Sequence, residues 1–573
     1  MMSRKRWWPY WSIRWIDDGQ EGRDFLRKQI VALAAVLCTL AVTLTGMPEA
    51  AAHHKNEQKV EKILYIPHDN RPISDKQTAE VISKLGYEVV VPPDNMLGSR
   101  TDLGHPDELW DWLKQNAQDA DAAVISSDSM LYGSLVGSRK HEYSKKEVLE
   151  RADRFQSFRK EHPKMELYVF GSIMRTPRSG EASGHEEPGY YRNYGADIFR
   201  YTVLKDKEEM EGLTRREKKE YDFLQRLIPK ASLSDWMGRR EKNFAANEKM
   251  IQLTRGNTFN YFVLGRDDNA PYSQTHLESR HLAAEGKDLG KTRFQAMAGI
   301  DEIGMLMLTR AVNDMRRDVP FVYVRYNWGK GEFTIPSYSD EKIGDSIASA
   351  ITAAGGMQVK SPEKADLVLT VNTNPNGKTY EANDRANDGT PREGTKYFAD
   401  IVSDYVSKGY PVGIADIAYA NGSDNALMDE LRDRGLLFKL RAYAGWNTPT
   451  NSTGFVIGEG MLAKYMKDEA VDDLLLTRYL DDWAYQANVR NTIARQLTWL
   501  RGDGVYGSLD SKMDAVATRS ERMLTRFVED NLPPIDSLAH IEVRFPWNRM
   551  FESDIIHTAD EPVDIAYFPK NRN

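Results

Sequence analysis

The chain has almost no cysteine: among its 573 residues the one cysteine is Cys38. Cys38 lies in an apolar run, residues 30–44, that follows several basic residues and precedes the small-residue stretch PEAAA at 48–52. This order is typical of a secretory signal peptide, so we expect residues 1–52 to be a signal peptide and leader, cleaved after Ala52. The mature chain would then contain no thiol, which excludes disulfides and thiolate catalysis.

A long hydrophobic run is also lacking. The N-terminal apolar run is shorter than the roughly 20 residues of a membrane-spanning helix, which favours a cleaved signal over an uncleaved signal-anchor. We therefore predict a secreted or cell-envelope, extracytoplasmic protein. It would contact a membrane only through its N-terminal signal, and only if that signal stays uncleaved.

The sequence has no excess of basic residues, since its net charge is -8 and its pI is about 5.9. Proteins that bind nucleic acid usually present a basic face, so no nucleic-acid partner is expected. Apolar residues make up 41% of the chain, which is ample for the cores of the two or three domains that this length predicts.

Familiar cofactor and metal motifs are missing too. The sequence has no HExxH, and the GKT at 290–292 resembles the end of a P-loop whose first glycine is replaced by Glu285. No loop has EF-hand spacing. We predict no cofactor and no bound metal. The open alternative is a hard cation held by four carboxylates: Asp69, Asp128, Asp267 and Asp268.

From Lys62 onward, strand and helix patterns alternate without hairpin signals, which predicts parallel sheets built from βαβ units. The predicted strands cover residues 63–67, 88–91, 122–126, 166–170, 261–264, 292–297, 321–326, 366–371, 412–417 and 437–443. A TIM-barrel-like fold with a flanking lobe accounts for most of them. Two doubly wound lobes that divide near residues 319–320 are the alternative.

The same pattern suggests the domain organisation. We expect an N-terminal α/β region at 53–320 and a second α/β region at 321–465 that completes or flanks it. Residues 466–573 are expected to form a mainly helical C-terminal region.

Polar side chains follow almost every predicted strand. In parallel α/β folds the working residues gather at the carboxyl ends of the strands, so we predict a polar cleft there. Amides and carboxylates bind hydroxyl groups and tryptophan can stack on a sugar face, which together suit a polyhydroxyl ligand. The competing interpretation of each Asn or Asp is a turn or a helix cap. The predicted substrate-binding residues are Asp69, Asn70, Arg71, Asp128, Arg175, Asn269, Asp301, Asn327, Asn421, Trp446, Asn447 and Asn451, with Trp110 and Trp328 as further stacking candidates.

The stretch NYFVLGRDDNAPYSQ, residues 260–274, is the main candidate for a catalytic strand end. Its apolar strand releases two carboxylates, Asp267 and Asp268, and glycosidic hydrolysis uses two carboxyl groups about 5–10 Å apart. Successive residues of a strand point to opposite faces. Both aspartates therefore face one site only if the strand has already ended, which Gly265 and Pro271 favour.

Each candidate catalytic residue has an expected role. Asp268 would be the acid/base, Asp267 the orienting carboxylate or a second acid, and Glu302 a reserve partner. In the alternative arrangement, Asp268 pairs with Glu302 or Asp128 from a neighbouring strand end.

Four segments in order resemble one known family: SDSMLYGSLVGSR at 127–139, the Arg-Asp-Asp stretch with the following Pro-Tyr at 266–272, GIDE at 299–302 and GWNT at 445–448. They resemble the bacterial domain-of-unknown-function 4127 family over most of the predicted mature chain, up to about residue 462. The resemblance implies a bacterial, exported α/β protein and brings no established activity.

A second and much weaker similarity is to barrel-type retaining β-N-acetylglucosaminidases. The aspartate pair at 267–268 is similar to their acidic pair, in which one acid orients the acetamido group and the other is the acid/base. The WNTPTN segment at 446–451 is similar to their Trp/Asn-rich binding segment. The leading hypothesis is an exported glycan-active hydrolase whose partner is a carbohydrate or cell-envelope glycan. The alternatives are a non-catalytic envelope protein that binds a glycan or peptide, and a metal-dependent hydrolase.

Overall fold

The computed structural model describes residues 60–180, 186–497, 504–533, 538 and 540–558. The expected signal peptide, its cleavage site and Cys38 lie outside the described residues.

The first sheet consists of six parallel strands: β1 (Lys62–Ile66), β2 (Glu88–Val90), β3 (Ala122–Ser126), β4 (Glu166–Ile173), β5 (Tyr261–Arg266) and β6 (Phe294–Ala298). Their order is β2-β1-β3-β4-β5-β6. The inner strands β3 and β5 are buried along their whole length. Helices cover both faces of a parallel sheet, which is why these strands are continuous apolar runs rather than alternating ones.

The second sheet begins after the first is complete. Five of the next strands form it, and two short ones pair with each other: β7 (Phe321–Tyr326), β8 (Met357–Val359), β9 (Leu367–Asn372), β10 (Tyr380–Glu381), β11 (Val412–Asp416), β12 (Tyr419–Ala420) and β13 (Ala442–Ala444). The sheet order is β13-β11-β9-β7-β8, again all parallel, with β10 beside β12. Near the C-terminus, β14 (His540–Arg544) and β15 (Asp554–Thr558) form an antiparallel hairpin.

Helices connect the strands of the first sheet. They are α1 (Lys76–Ser83), α2 (Pro106–Asn116), α3 (Ser127–Tyr132), α4 (Leu135–Lys140), α5 (Lys145–Glu161), α6 (Tyr191–Met210), α7 (Arg215–Leu227), α8 (Lys230–Arg255), α9 (Gln274–Glu285) and α10 (Ile303–Arg316). The long charged link between β4 and β5 is helical, formed by α6, α7 and α8.

The remaining helices follow the second sheet into the C-terminal region. They are α11 (Ile343–Ala353), α12 (Glu393–Ser407), α13 (Asn425–Asp433), α14 (Pro449–Leu462), α15 (Asp468–Arg478), a π-helical segment (Tyr479–Val489), α16 (Arg490–Gln496) and α17 (Met513–Asn531). None of the helices within the described residues is long and apolar enough to cross a membrane.

The strand pairing gives two parallel sheets, as the two-lobe alternative expects, and the second starts at Phe321, beside the expected division. Closure into a barrel is not seen, because no strand pair among the described residues joins the edge strands β2 and β6. Spacing in the sequence could not separate the two folds, since both are built from the same βαβ units.

One apolar core joins the two sheets. It contains Ile63 of β1 and Val322 of β7, together with α10 and α14. Helix α14 is buried at every residue, including polar residues such as Asn451 and Glu459, so protein surrounds it on all sides. This shared core packs the two sheets into one structural unit.

Candidate functional site

A polar cavity of about 130 Å³ lies where the carboxyl ends of strands from both sheets meet. This position is where open α/β sheets usually bind ligands. Its volume is below the roughly 300–1,000 Å³ of most ligand pockets, so it has room for one group of a ligand. The charged and polar side chains in its lining include Arg71, Arg139, Arg175, Glu186, Asp267, Asp268, Asp301, Tyr338, Asn421, Asn447, Thr448, Tyr506, Arg549 and Glu552.

The aspartate pair lies in a turn rather than in a strand. Strand β5 ends at Arg266, and Asp268 has a positive φ of 39°. The alternation of a strand therefore no longer applies, and Asp267 and Asp268 both line the cavity. The side chain of Arg266 instead binds Asp340 and Glu341. Of the two arrangements left open by the sequence, the structure has the one in which both aspartates face one pocket.

Each aspartate of the pair is bound by its own arginine. Arg139 Nη2 donates to Asp267 Oδ2 at 2.6 Å, and Arg175 Nη1 donates to Asp268 Oδ2 at 2.7 Å. Burial, with repulsion from Asp267, raises the pKa of Asp268 to about 7, although Arg175 opposes the shift. A carboxyl group with such a pKa can hold or release a proton near neutral pH, as a general acid must.

Glu186 connects the arginines on this side of the cavity. Its carboxylate lies 2.6 Å from Arg139 Nη1, 2.9 Å from Arg549 Nη2 and 3.2 Å from Arg175 Nη2. Burial alone would raise the pKa of Glu186, but Arg175, Arg549 and Arg139 hold it well below its usual range. Glu186 is therefore an anion inside a cage of three guanidinium groups.

Asp301 forms a second charged cluster. Arg71 binds it with both terminal nitrogens, at 2.7 Å and 3.1 Å, and His68 Nε2 lies 3.2 Å away. Asn447 also donates to it. Burial would raise the pKa of Asp301, but Arg71 and His68 hold it well below its usual range. Asp301 is consequently a permanent anion, which suits it to binding hydroxyl groups rather than to donating a proton.

Glu302 does not join the aspartate pair in the cavity lining. It borders a neighbouring narrow void that Trp446 and Asn451 also line. Burial raises the pKa of Glu302 well above its usual range, and its Oε2 has no hydrogen-bond partner among the described residues. A Cβ atom added at Gly299, where φ is 94°, would lie 1.9 Å from Glu302 Oε1. Glu302 is thus a neutral acid packed beside the cavity.

The cavity concentrates backbone strain. Asp268, Tyr338, Asn421 and Asn447 all line it and have positive φ values of 39°, 65°, 63° and 69°. Non-glycine residues adopt this region rarely, and where they do the surrounding structure must hold them there. One such support is Glu381, which accepts hydrogen bonds from Tyr338 Oη at 2.7 Å and Asn421 Nδ2 at 2.9 Å. Such strain is frequent at functional sites.

The loop between β14 and β15 forms one wall. Trp547 packs against two guanidinium groups, with Arg71 and Arg549 centred 5.1 Å and 5.0 Å from its ring. Its Nε1 donates to Asn70 Oδ1 at 2.8 Å. Cation–π contacts of this buried kind stabilise the position of both arginines. The C-terminal loop is therefore part of the site.

Several predicted substrate-binding residues support the cavity from behind instead of lining it. Asp69 accepts from Arg71 Nε, at 3.0 Å and 2.9 Å. Asn269 braces the aspartate turn, where its Oδ1 accepts from Ser273 Oγ at 2.8 Å. Asn451 lies 3.4 Å from Asp301. These residues orient the groups that a ligand would touch.

Two further predicted residues lie elsewhere. Asp128 is absent from the cavity lining, and burial raises its pKa to about 6. Asn327 follows β7 and donates to Asn372 Oδ1 at 3.2 Å, within the second lobe. Each is consistent with the local interpretation of a strand-end Asn or Asp.

The tryptophans that the sequence suggests for stacking on a sugar do not line the cavity. Trp446 is 5% exposed and packs on Phe551 with ring centroids 5.8 Å apart. Trp110 is buried and donates to the Met130 carbonyl. Trp328 is exposed but does not line the cavity. Burial leaves Trp110 and Trp446 no free ring face for a sugar, and the exposed Trp328 ring is not part of this cavity.

Sequence reasoning missed several lining residues. Arg139 is the last residue of the 127–139 segment, whose resemblance indicates the family but assigns no role to this side chain. Glu186 lies in the Gly/Pro-rich loop after β4, and Arg549 lies in the aromatic C-terminal tail. Only the tertiary fold brings these segments together. Among the residues that the structure describes, no group of three or more His, Cys, Asp or Glu side chains is arranged to hold a metal ion.

Fold and site together define an α/β protein with two parallel sheets and a charged cavity between their carboxyl edges. The model of a family described as "Protein of unknown function (DUF4127)" matches residues 63–556. The chain belongs to this family, which confirms the resemblance of its ordered motifs. The comparisons do not show the similarity to β-N-acetylglucosaminidases, which stays a prediction.

Other comparisons add little. No curated protein matches the sequence. One matching solved structure is a complex between a UDP-glucosyltransferase from Polygonum tinctorium capable of glucosylating indoxyl and 3,4-dichloroaniline. It is 10% identical, with 82% of this chain and 98% of that chain covered and a TM-score of 0.15. A similarity this low indicates neither the fold nor the function of this chain.

Proposed function

We propose that the protein is an exported glycan-active hydrolase that uses the Asp267–Asp268 pair. The observation that carries the proposal is that both aspartates line one cavity, where burial and repulsion raise the pKa of Asp268 to about 7. Two neighbouring carboxyl groups in unequal environments are the usual equipment for cleaving a glycosidic bond. The export part rests on the N-terminal run of the sequence alone.

The roles follow from the contacts. Asp268, protonated near neutral pH, donates its proton to the leaving oxygen of the scissile bond. Asp267, fixed by Arg139 at 2.6 Å, orients the substrate, for example the N–H of an acetamido group whose carbonyl oxygen attacks the anomeric carbon. Asp301, Asn421 and Asn447 offer oxygen and amide groups to sugar hydroxyls.

The substitution Asp268→Asn tests this assignment. It keeps the size of the side chain but removes the proton that is transferred, so turnover should fall about 10²–10⁴-fold. Because Asp268 must be protonated, the wild-type rate should fall as pH rises above about 7. The measurement is hydrolysis of acetamido-sugar and plain-sugar chromogenic substrates across pH.

Asp288→Asn is the matched control, because Asp288 pairs with Arg255 on the surface, away from the cavity. It should leave the rate unchanged. If Asp268→Asn retains full activity on a glycan that the wild type cleaves, the catalytic assignment is wrong.

The second candidate function is a non-catalytic envelope protein that binds a glycan. One observation favours it: both aspartates are already held in ion pairs, and such pairs also occur in purely structural networks. In that case wild type and Asp268→Asn would bind the same oligosaccharide and neither would hydrolyse it. Calorimetric titration beside the chromogenic assay separates the two functions.

A further inference from the structure

Three arginines from separate parts of the chain converge on one carboxylate. Arg139 lies on α4, Arg175 follows β4 and Arg549 belongs to the β14–β15 loop. Their side chains are 2%, 8% and 2% exposed, and all three contact Glu186. Burying guanidinium groups is unfavourable unless anions compensate them. Each arginine also binds another carboxylate, that of Asp267, Glu187 or Glu552 respectively, and Glu186 is the anion that all three share.

The geometry is that of carboxylate recognition. Glu186 Oε2 contacts Arg139 and Arg175, and Glu186 Oε1 contacts Arg549. Both oxygens of a planar carboxylate are thus bound by guanidinium groups, whose fork of donors matches this shape. A neutral polyhydroxyl ligand alone would not require such a cage.

The cage is also part of the cavity that contains the proposed catalytic pair. Arg139 and Arg175 bind Glu186 and, with their other nitrogens, Asp267 and Asp268. Glu186 itself lies outside any helix or strand, so moving its side chain breaks no hydrogen bond of a helix or sheet. An external carboxylate in the place of the Glu186 carboxylate would give the three arginines the same number of ion pairs.

We propose that Arg139, Arg175 and Arg549 form the subsite for the carboxylate of an acidic sugar, which takes the place that the Glu186 carboxylate occupies. The inference rests on the proposed function for its glycan ligand, and it does not depend on hydrolysis. It assigns Glu186 the role of an internal competitor for the site, and it names the substrate class as carboxylate-bearing sugars.

Removal of Glu186 provides the test, with glucuronate as the probe and glucose as its neutral counterpart. Both are titrated calorimetrically into the full-length wild type and Glu186→Ala. Glucuronate should bind Glu186→Ala ~10-fold or more tightly than wild type, because the competing carboxylate is gone. Glucose should show no such gain. Acetate should raise the melting temperature of Glu186→Ala more than that of wild type.

The control variant is Glu341→Ala. Glu341 also pairs with an arginine, Arg266, but lies outside the cavity lining. It should show no gain in glucuronate affinity. If Glu186→Ala does not fold, Glu186→Gln replaces it, since the neutral amide keeps the size and competes more weakly.

The inference is overturned if glucuronate binds wild type and the Glu186 variant with equal affinity. It is also overturned if removal of Glu186 increases the affinity for glucose as much as the affinity for glucuronate. If removal of Glu186 increases the affinity for glucose 6-phosphate more than the affinity for glucuronate, the assignment of a carboxylate as the ligand is wrong. Hydrolysis is not measured in these titrations. Full hydrolytic activity of Asp268→Asn would therefore refute the catalytic assignment and leave the carboxylate subsite untouched. Equal binding of glucuronate by wild type and the Glu186 variant would refute the subsite and leave the hydrolase proposal untouched.

Discussion

At the scale of single residues, Glu459 shows how strongly burial controls ionisation here. It lies on the fully buried helix α14, is 1% exposed, and neither carboxyl oxygen has a hydrogen-bond partner among the described residues. Burial raises its pKa to about 8, although Arg478 opposes the shift. A carboxyl group without partners in such surroundings is stable in its neutral form.

This gives a pH-dependent prediction for Glu459→Gln. Between pH 4.5 and about 8 the folded protein holds the Glu459 proton, whereas the unfolded chain releases it. Raising the pH in this window therefore favours unfolding of the wild type. Relative to Glu459→Gln, the wild-type free energy of unfolding should fall by up to about 1.4 kcal/mol per pH unit.

Urea denaturation at pH 5, 6, 7 and 8 measures this difference. The control is Glu529→Gln, which changes an exposed glutamate on α17. Its stability should run parallel to that of the wild type. A parallel course for Glu459→Gln as well would show that Glu459 does not hold a proton in the folded state.

Residues at strand ends could be predicted from the sequence, and others could not. Asp267, Asp268 and Asp301 stand directly after apolar runs, and the carboxyl edge of a parallel sheet gathers such residues. Arg139 and Glu186 belong to a short helix and an irregular loop, whose positions depend on long-range packing. The sequence contains no local pattern that brings them to the cavity.

At the scale of elements, α14 is the helix that ties the two sheets together, and small residues allow its close approach to α10. A Cβ atom added at Gly458 would lie 2.8 Å from Met305 Cγ and 3.0 Å from Thr309 Oγ1. Interiors are packed too densely to absorb such an addition without displacement. The contact between α10 and α14 should therefore be sensitive to a single methyl group.

We predict opposite effects for two Gly-to-Ala changes in helices. Gly458→Ala should destabilise the protein by about 1–3 kcal/mol, because the overpacking exceeds the gain in helix propensity. Gly238→Ala on α8, where the added Cβ would meet nothing within 4 Å, should stabilise it by up to about 1 kcal/mol. Chemical denaturation of both variants measures the difference. Equal effects would mean that α14 can shift away from α10.

The sequence predicts most of the individual strands, but it does not predict which strands belong to the same sheet. Apolar runs such as residues 261–264 and 412–417 predict buried strands, and β5 and β11 form there. Whether the strands form one barrel or two sheets depends on which edges pair, and edge pairing has no signal in the spacing. The loop with Trp547 and Arg549 lies between the antiparallel strands β14 and β15, in a region for which the sequence predicts mainly helix.

At the scale of the whole molecule, the two sheets share one apolar core. That core contains Tyr65 and Val263 from the first sheet and Leu369 and Ile414 from the second, with Met305 of α10 among them. Separate lobes with separate cores would be able to unfold independently. A common core means that loss of either lobe exposes apolar surface of the other, which couples their stability.

We therefore predict a single cooperative thermal transition in scanning calorimetry, with equal calorimetric and van't Hoff enthalpies. Met305→Ala, which creates a cavity in the shared core, should cost about 2–5 kcal/mol and move the whole transition to lower temperature without splitting it. Leu282→Ala is the control, because Leu282 belongs to an apolar cluster formed only on the first lobe. If the two lobes are coupled, Leu282→Ala should also move a single, unsplit transition to lower temperature. Two resolved transitions, with Leu282→Ala moving one of them alone, would show that the lobes are thermodynamically separate despite their common core.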